Sequence, residues 1–207
     1  MANKRIKKLY RIGITGGIAC GKSTVSSYFK KYDISIIDTD LIAREIVEKG
    51  QPALEEIKRE FGNIVFDSSG CLDRKVMRSI IFSDENARKK LEKILHPKIK
   101  NETISQADKA QNAYQIIIIP LLTQSGLKEF VNRILVIDCS KKTQIKRLMK
   151  RDNESIEKAK SIIMAQDDRK NRLKIADDII SNEEGEVSLE KKVAKLHKLY
   201  TRLASKY

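Results

Sequence analysis

Apolar and polar positions follow two rhythms along the chain. Residues 9–15 (LYRIGIT) make a short, β-branched apolar run that breaks at Gly16-Gly17. That pattern predicts a buried strand entering a tight loop. Residues 22–31 follow with Val25, Tyr28 and Phe29 at helical spacing, and 34–37 read as a second strand ending at Asp38-Thr39-Asp40. From 41 to about 112 helical spacing takes over. Residues 41–48 read as a helix closed by Gly50, and Asp40 suits its cap. Pro52 sits where a first turn tolerates it, ahead of the stripe Leu54, Ile57, Phe61. Ser83 is placed to cap a helix carrying Ala87, Leu91, Ile94 and Leu95, and His96-Pro97 reads as its break. Continuous apolar runs return at 115–122 (QIIIIPLL) and 133–139 (RILVIDC), as strands buried on both faces require. Ser140 caps a helix through about Arg151. A charged helical region covers 155–174, a last strand 176–181, and a final helix carries Leu189, Val193, Leu196, Tyr200 and Leu203 on one face. Strand, glycine loop, helix, strand is the opening of an α/β fold with parallel strands. The helical middle reads as a lobe inserted between strands.

The chain has 207 residues, which suits one domain with a small inserted lobe. With 41% hydrophobic residues and no low-complexity tract, disorder is excluded. Forty-two Lys and Arg against 28 Asp and Glu leave a net charge of +14, which suits nucleic acid, an anionic membrane surface or polyphosphate ligands, or simply a solvated basic surface. Aromatics are only 5% and Trp is absent, which counts against a stacking platform for single strands. Three scattered cysteines, Cys20, Cys71 and Cys139, exclude a disulfide framework and fit a reducing compartment. The longest apolar run, 116–122, is strand-sized, and the basic N-terminus (Lys4, Arg5, Lys7, Lys8) lacks the apolar region of a signal peptide. The expectation is a soluble cytoplasmic protein.

One motif carries chemistry. Gly16-Gly17-Ile18-Ala19-Cys20-Gly21-Lys22-Ser23 fits G-x-x-x-x-G-K-[ST], following a predicted strand and opening a predicted helix. Its glycines let successive N–H groups converge on phosphate oxygens, and the helix presents its positive end to the same anion. Lys22 reaches the β- and γ-phosphates, the Ser23 hydroxyl ligates Mg²⁺, and Thr24 adds an α-phosphate contact. Asp38 and Asp40 stand at the end of the second strand, where ligands gather in open α/β sheets. Asp40 there suits a base for an acceptor hydroxyl or a water-mediated metal contact. Asp38 either supports Lys22 or closes the strand. Arg147 and Arg151, at i and i+4, share a helical face, and Arg169 and Arg172 follow Gln166. Such arginines answer charge on a transferred phosphoryl group, or line a solvated helix face. Cys20 contributes its backbone N–H to the loop, while Cys71, Cys139 and His96 read as structural. No cluster with metal-ligand spacing is present.

Several separated stretches together resemble the bacterial dephospho-CoA kinases. They are Gly13 to Gly17 with Gly21 to Thr24, Ile36 to Asp40 with Ile42-Ala43-Arg44, Phe61-Gly62, Leu72-Asp73-Arg74 and Ile94-Leu95-His96-Pro97. Beyond them come Ile119 to Leu122, Gln144, Arg147, Arg151, Gln166, Ala176-Asp177-Asp178 and Asn182. They stand in the family's order across nearly the whole chain. The resemblance implies a parallel-sheet P-loop NTPase core in three α/β/α layers, built from 1–40, 113–146 and 175–207. It also implies an inserted helical acceptor lobe at 41–112 and a helical lid at 147–174. The implied reaction moves the γ-phosphoryl of ATP to the ribose 3′-hydroxyl of dephospho-CoA, with Mg²⁺. It makes Asp40 the base, with Lys22 and Arg147 beside it. Asp38, Arg44, Arg74 and His96 fall on the acceptor side, and Arg151 and Asn182 on the ATP side with Gly17 to Thr24. The partners it implies are the two small substrates, without nucleic acid or membrane, acting on a monomer. One position departs from the pattern: the family often has a glutamate two residues after Pro-Leu-Leu, where this chain has Gln124. The alternatives are another small-molecule P-loop kinase, for a nucleoside or its monophosphate, and an NTPase stimulated by nucleic acid.

Overall fold

The computed structural model describes residues 9–110, 112–123, 125–166, 168–183 and 186–207. The basic N-terminal residues and Gln124 lie outside them. The chain forms two compact units: one reaches Ile37 and resumes at Lys109–Tyr207, and the other is Asp38–Asp108.

The first unit is built on a parallel sheet of five strands: β1 (Tyr10–Gly16), β2 (Ser35–Asp38), β3 (Tyr114–Ile118), β4 (Arg133–Asp138) and β5 (Asp178–Ser181). Their order is β2-β3-β1-β4-β5. β1 pairs in parallel with β3, in the register Ile12 with Ile116, and with β4, in the register Ile14 with Leu135. The central strands are buried almost throughout, which is why they read as unbroken apolar runs. β3 is shorter than the run 115–122 suggests. Proline cannot donate to a ladder, and pairing ends with the Ile119 N–H on the Ile14 carbonyl, just before Pro120.

Helices α1 (Lys22–Lys30) and α9 (Glu186–Ala204) cover this sheet. Val25 and Phe29 of α1 share a core with Ile12, Ile14, Ile116 and Ile137, joined by Leu189, Val193 and Tyr200 of α9. Phe29 and Tyr200 stack with centroids 6.0 Å apart. The Tyr200 hydroxyl donates to Asp178 Oδ2 at 2.8 Å, while Arg133 grips both oxygens of the same carboxylate at 2.6 and 3.0 Å. That trio ties α9 to the β4–β5 edge. Between β4 and β5 run α6 (Lys141–Asp152), α7 (Ile156–Met164) and α8 (Arg169–Lys174). The charged region 155–174 is therefore two helices, the second capped by Asp168.

The second unit holds α2 (Thr39–Glu45), α3 (Pro52–Phe61), α4 (Arg74–Ser83) and most of α5 (Glu85–Lys109). Val47, Ala53, Ile57, Val65, Met77 and Leu91 form its core. Three local expectations change here. The cap of α2 is Asp38, not Asp40: its Oδ1 accepts the Asp40 N–H at 2.9 Å. Ser83 ends α4, and Asp84 instead receives the N–H groups of Asn86 and Ala87 at the start of α5. A carboxylate accepts these orphan N–H groups and also answers the helix dipole. Pro97 does not break α5, which continues through it to Lys109. Pro97 is exposed, so the carbonyl that loses its partner there can be hydrated, and Leu91, Thr103 and Ala107 are buried on both sides of it.

Candidate active site

β1 delivers the chain directly into the glycine loop. A Cβ at Gly16 would run into the backbone carbonyl of Ile137 on the neighbouring strand, so only glycine lets β1 and β4 approach there. The loop then turns through left-handed residues, Ala19 at φ 57° and Gly21 at φ 95°. Such turns fold backbone N–H groups into an anion-binding concavity. The Val25 N–H closes the first α1 turn on the Gly21 carbonyl at 3.0 Å. Lys22 Nζ donates to the carbonyls of Gly16 at 2.9 Å and Gly17 at 3.2 Å, which holds the ammonium over the loop. The Ser23 side is exposed, and Thr24 is half-buried beside it.

Side chains from distant parts of the same unit stitch this loop down. Gln144 of α6, which is buried, donates Nε2 to the Ile18 carbonyl at 2.8 Å, and Gln166 Oε1 accepts the Ile18 N–H at 2.7 Å. Arg147 donates to the Ala19 carbonyl at 3.3 Å and to the Asn182 carbonyl at 2.9 Å. Asn182, just past β5, donates Nδ2 to the Cys20 carbonyl at 2.7 Å. Arg172 of α8 also approaches: a Cβ built on Gly17 would lie 3.3 Å from its guanidinium and 2.5 Å from Gln144 Nε2. Arg147, Asn182, Lys22 and the loop from Gly17 to Thr24 therefore come together in one place. Arg151, one turn further along α6, has its guanidinium engaged by both oxygens of Asp152 at 2.7 and 2.8 Å.

Two features here carry less signal in the sequence. Asp138, the last residue of β4, takes a bidentate grip from Arg169 of α8 at 2.8 and 2.6 Å. The signal was available, since a charge at the carboxyl end of a buried strand lies where ligands gather. Cys139, which follows, donates its S–H to Cys20 Sγ at 3.0 Å. This hydrogen bond, helped by Lys22 and opposed by burial, holds the Cys20 thiol below its ordinary range. Giving that bond, together with burial, pushes Cys139 up. Nearby, Glu183 accepts from Thr143 Oγ1 at 2.5 Å and from the Ser140 N–H, which holds its carboxyl below the usual range.

Within the second unit, Asp38 and Asp40 are joined through the α2 cap, and Asp40 is exposed on the first turn. Arg74, at the start of α4, donates Nη2 to the Arg44 carbonyl at 3.3 Å, which sets its guanidinium against the main chain of α2. His96 is exposed in the middle of α5. No group of three or more His, Cys, Asp or Glu side chains able to hold a metal occurs among the described residues. No helix among them is long and apolar enough to cross a membrane.

Comparison with known proteins places the chain in a family. The family model for dephospho-CoA kinase (CoaE) matches residues 10–188. The dephospho-CoA kinase of Burkholderia thailandensis is 44% identical over 199 residues, covering 95% of this chain and 98% of the relative. The solved dephospho-CoA kinase from Campylobacter jejuni superposes with a TM-score of 0.70 at 31% identity, over 93% of this chain and 97% of that one. The structure of TT1252 from Thermus thermophilus gives a TM-score of 0.84 at 27% identity, over 93% and 98%. The chain belongs to the dephospho-CoA kinase family, ATP-dependent enzymes on a P-loop kinase fold, and the resemblance read from its motifs is its family.

Proposed function

We propose that this kinase moves the γ-phosphoryl group of ATP onto the ribose 3′-hydroxyl of dephospho-CoA, with the Gly16–Ser23 loop as its phosphate cradle. The observation that carries the site assignment is the stitched loop: Gln144, Gln166, Arg147 and Asn182 fix the backbone of Ile18, Ala19 and Cys20. Donors that are already aligned cost no reorganisation when charge develops on the transferred group. Lys22 sits within the loop to meet the β- and γ-phosphates, and Arg147 adds a cation beside Ala19.

Mg²⁺ fits the donors that are present. Magnesium keeps several waters and binds through one or two protein oxygens plus substrate phosphates. The Ser23 hydroxyl, exposed at the start of α1, offers such an oxygen. Bound there, the ion would neutralise charge on the phosphate oxygens.

Asp40 is the proposed base. It would accept the proton of the acceptor hydroxyl as that oxygen attacks the γ-phosphorus. Asp38 holds the start of α2, and so the placement of Asp40, through the N–H bond at 2.9 Å. The helical lobe, with Arg44, Arg74 and His96, is proposed to take the acceptor, Arg151 to act from the lid, and Asn182 to border the adenine. A net charge of +14 concentrates two polyanionic substrates. The proposed compartment is the cytoplasm, consistent with free thiols at Cys20, Cys71 and Cys139.

The test is ADP release with ATP and Mg²⁺ against dephospho-CoA, AMP, CMP, UMP, adenosine and single-stranded RNA. Turnover with dephospho-CoA alone, yielding coenzyme A, is the expected result. Turnover with a monophosphate, or stimulation by RNA, would overturn it.

A further inference from the structure

The sequence separates Cys20 and Cys139 by 119 residues, and the fold brings their sulfurs to 3.0 Å. Cys20 is the fifth residue of the glycine loop, and Cys139 directly follows β4. Each is 2% exposed. The neighbours Ile18, Ala19 and Gly21 are half-exposed, so the loop surface lies one residue from the Cys20 sulfur on either side. A disulfide needs an S–S distance of about 2.05 Å, so closing this contact asks for a movement of about 1 Å.

We propose that Cys20 and Cys139 form a reversible disulfide when the enzyme meets a hydroperoxide, and that this bond switches off the phosphate cradle. The Cys20 thiolate attacks one peroxide oxygen, the O–O bond breaks, and the leaving oxygen departs as water after taking a proton. Sulfur has then given two electrons to the peroxide, and Cys20 is a sulfenic acid. The Cys139 sulfur displaces that hydroxyl: the S–S bond forms, the S–O bond breaks, and the Cys139 proton leaves with the second water. Two thiols and one hydrogen peroxide thus give one disulfide and two waters.

The consequence follows from what surrounds Cys20. Its carbonyl is held by Asn182 and that of Ala19 by Arg147, so the main chain on both sides of the Ala19–Cys20 link is already fixed in place. A covalent pull of about an ångström toward β4 shifts the N–H groups against these anchors. Misplacing a catalytic constellation by about that much costs about 10²-fold. This step rests on the loop being the ATP site, as proposed above.

The experiment titrates the full chain with hydrogen peroxide. Each sample is split among non-reducing peptide mass spectrometry, ADP release with dephospho-CoA, and binding of a fluorescent ATP analogue. The expected result is a Cys20–Cys139 linked peptide whose fraction tracks a fall of at least tenfold in turnover and in analogue binding, with both restored by dithiothreitol. Cys139→Ala should turn over like the reduced enzyme, form no linked peptide and show no loss that dithiothreitol reverses. Should that variant not fold, the tracking of linked peptide and activity in the natural chain decides alone. Absence of the linked peptide, or its formation with turnover and binding unchanged, would overturn the proposal. If the reduced protein binds the analogue but never phosphorylates dephospho-CoA, the kinase reading falls, and linked peptide against binding still decides the switch.

Discussion

Asn182 donates its side-chain amide to the main-chain carbonyl of Cys20 at 2.7 Å, across 162 residues of chain. Its own N–H meanwhile rests on the Asp138 carbonyl, so the residue past β5 is pinned to β4 before it reaches the loop. A buried carbonyl that loses its donor costs about 1–3 kcal/mol. Asn182→Ala should therefore lower the melting temperature by several degrees and raise KM for ATP more than it lowers kcat. An unchanged KM for ATP would remove Asn182 from the loop's support.

Gly16 and Gly21 should differ in how they fail. A Cβ at Gly16 meets main chain, the Ile137 carbonyl, which cannot step aside. Gly16→Ala should yield little folded protein. At Gly21 the obstacle is the Asn182 side-chain amide, with φ at 95° adding strain. Gly21→Ala should fold with reduced stability and weakened ATP binding. Equal behaviour of the two in thermal melts would contradict this reading.

Asp40→Asn keeps size and hydrogen bonding but cannot take a proton. Since general-base catalysis is typically worth about 10²–10⁴-fold, kcat should fall by that order while the KM for ATP stays near its starting value. Steady-state kinetics with both substrates varied would show it. A kcat close to that of the natural chain would reassign the base.

Tyr200→Phe removes one donor from Asp178 and leaves the two from Arg133. The loss should be about 1 kcal/mol, read as a small shift in the urea midpoint with turnover unaltered. A loss of activity larger than the loss of stability would tie this edge to catalysis.

His197 stacks on Tyr32 with centroids 4.2 Å apart, and its Nδ1 meets the Tyr114 hydroxyl at 2.9 Å. Burial holds its pKa below the ordinary imidazole value. The unfolded chain therefore binds this proton more readily than the folded one. Stability conferred by neutral His197 is complete above the unfolded pKa of about 6.5 and is lost as pH falls through it. Melting temperatures should drop from pH about 7 to about 5, and His197→Gln should flatten that part of the slope. A slope unchanged in the variant would exclude His197 as its source.

The buried strands were legible because their apolar residues are continuous, and the glycine loop because its residue types serve backbone geometry that no other residues satisfy. The caps show where local reading runs out. Asp40 and Ser83 have the right chemistry two residues and one residue away from the actual caps, Asp38 and Asp84. A shift of one or two positions is below what composition resolves, since a carboxylate or hydroxyl at either place has capping chemistry. Pro97 shows a related limit: local sterics argue for a break, and packing along both halves of a long helix overrides them.

Class and chemistry were therefore readable along the chain alone: a parallel α/β core, a glycine loop with P-loop spacing and a family. These depend on residue types at short spacing, and short spacing is visible in one dimension. Which distant side chains serve that loop is set by the packing of the folded chain. Gln144, Gln166, Arg147 and Asn182 reach three consecutive loop residues from 126 to 162 positions away, and Cys139 meets Cys20 at 3.0 Å. These pairings follow from the strand order, which sets β4 and β5 on one side of β1. Strand order is selected by the burial of the whole sheet, not by any local run of residues.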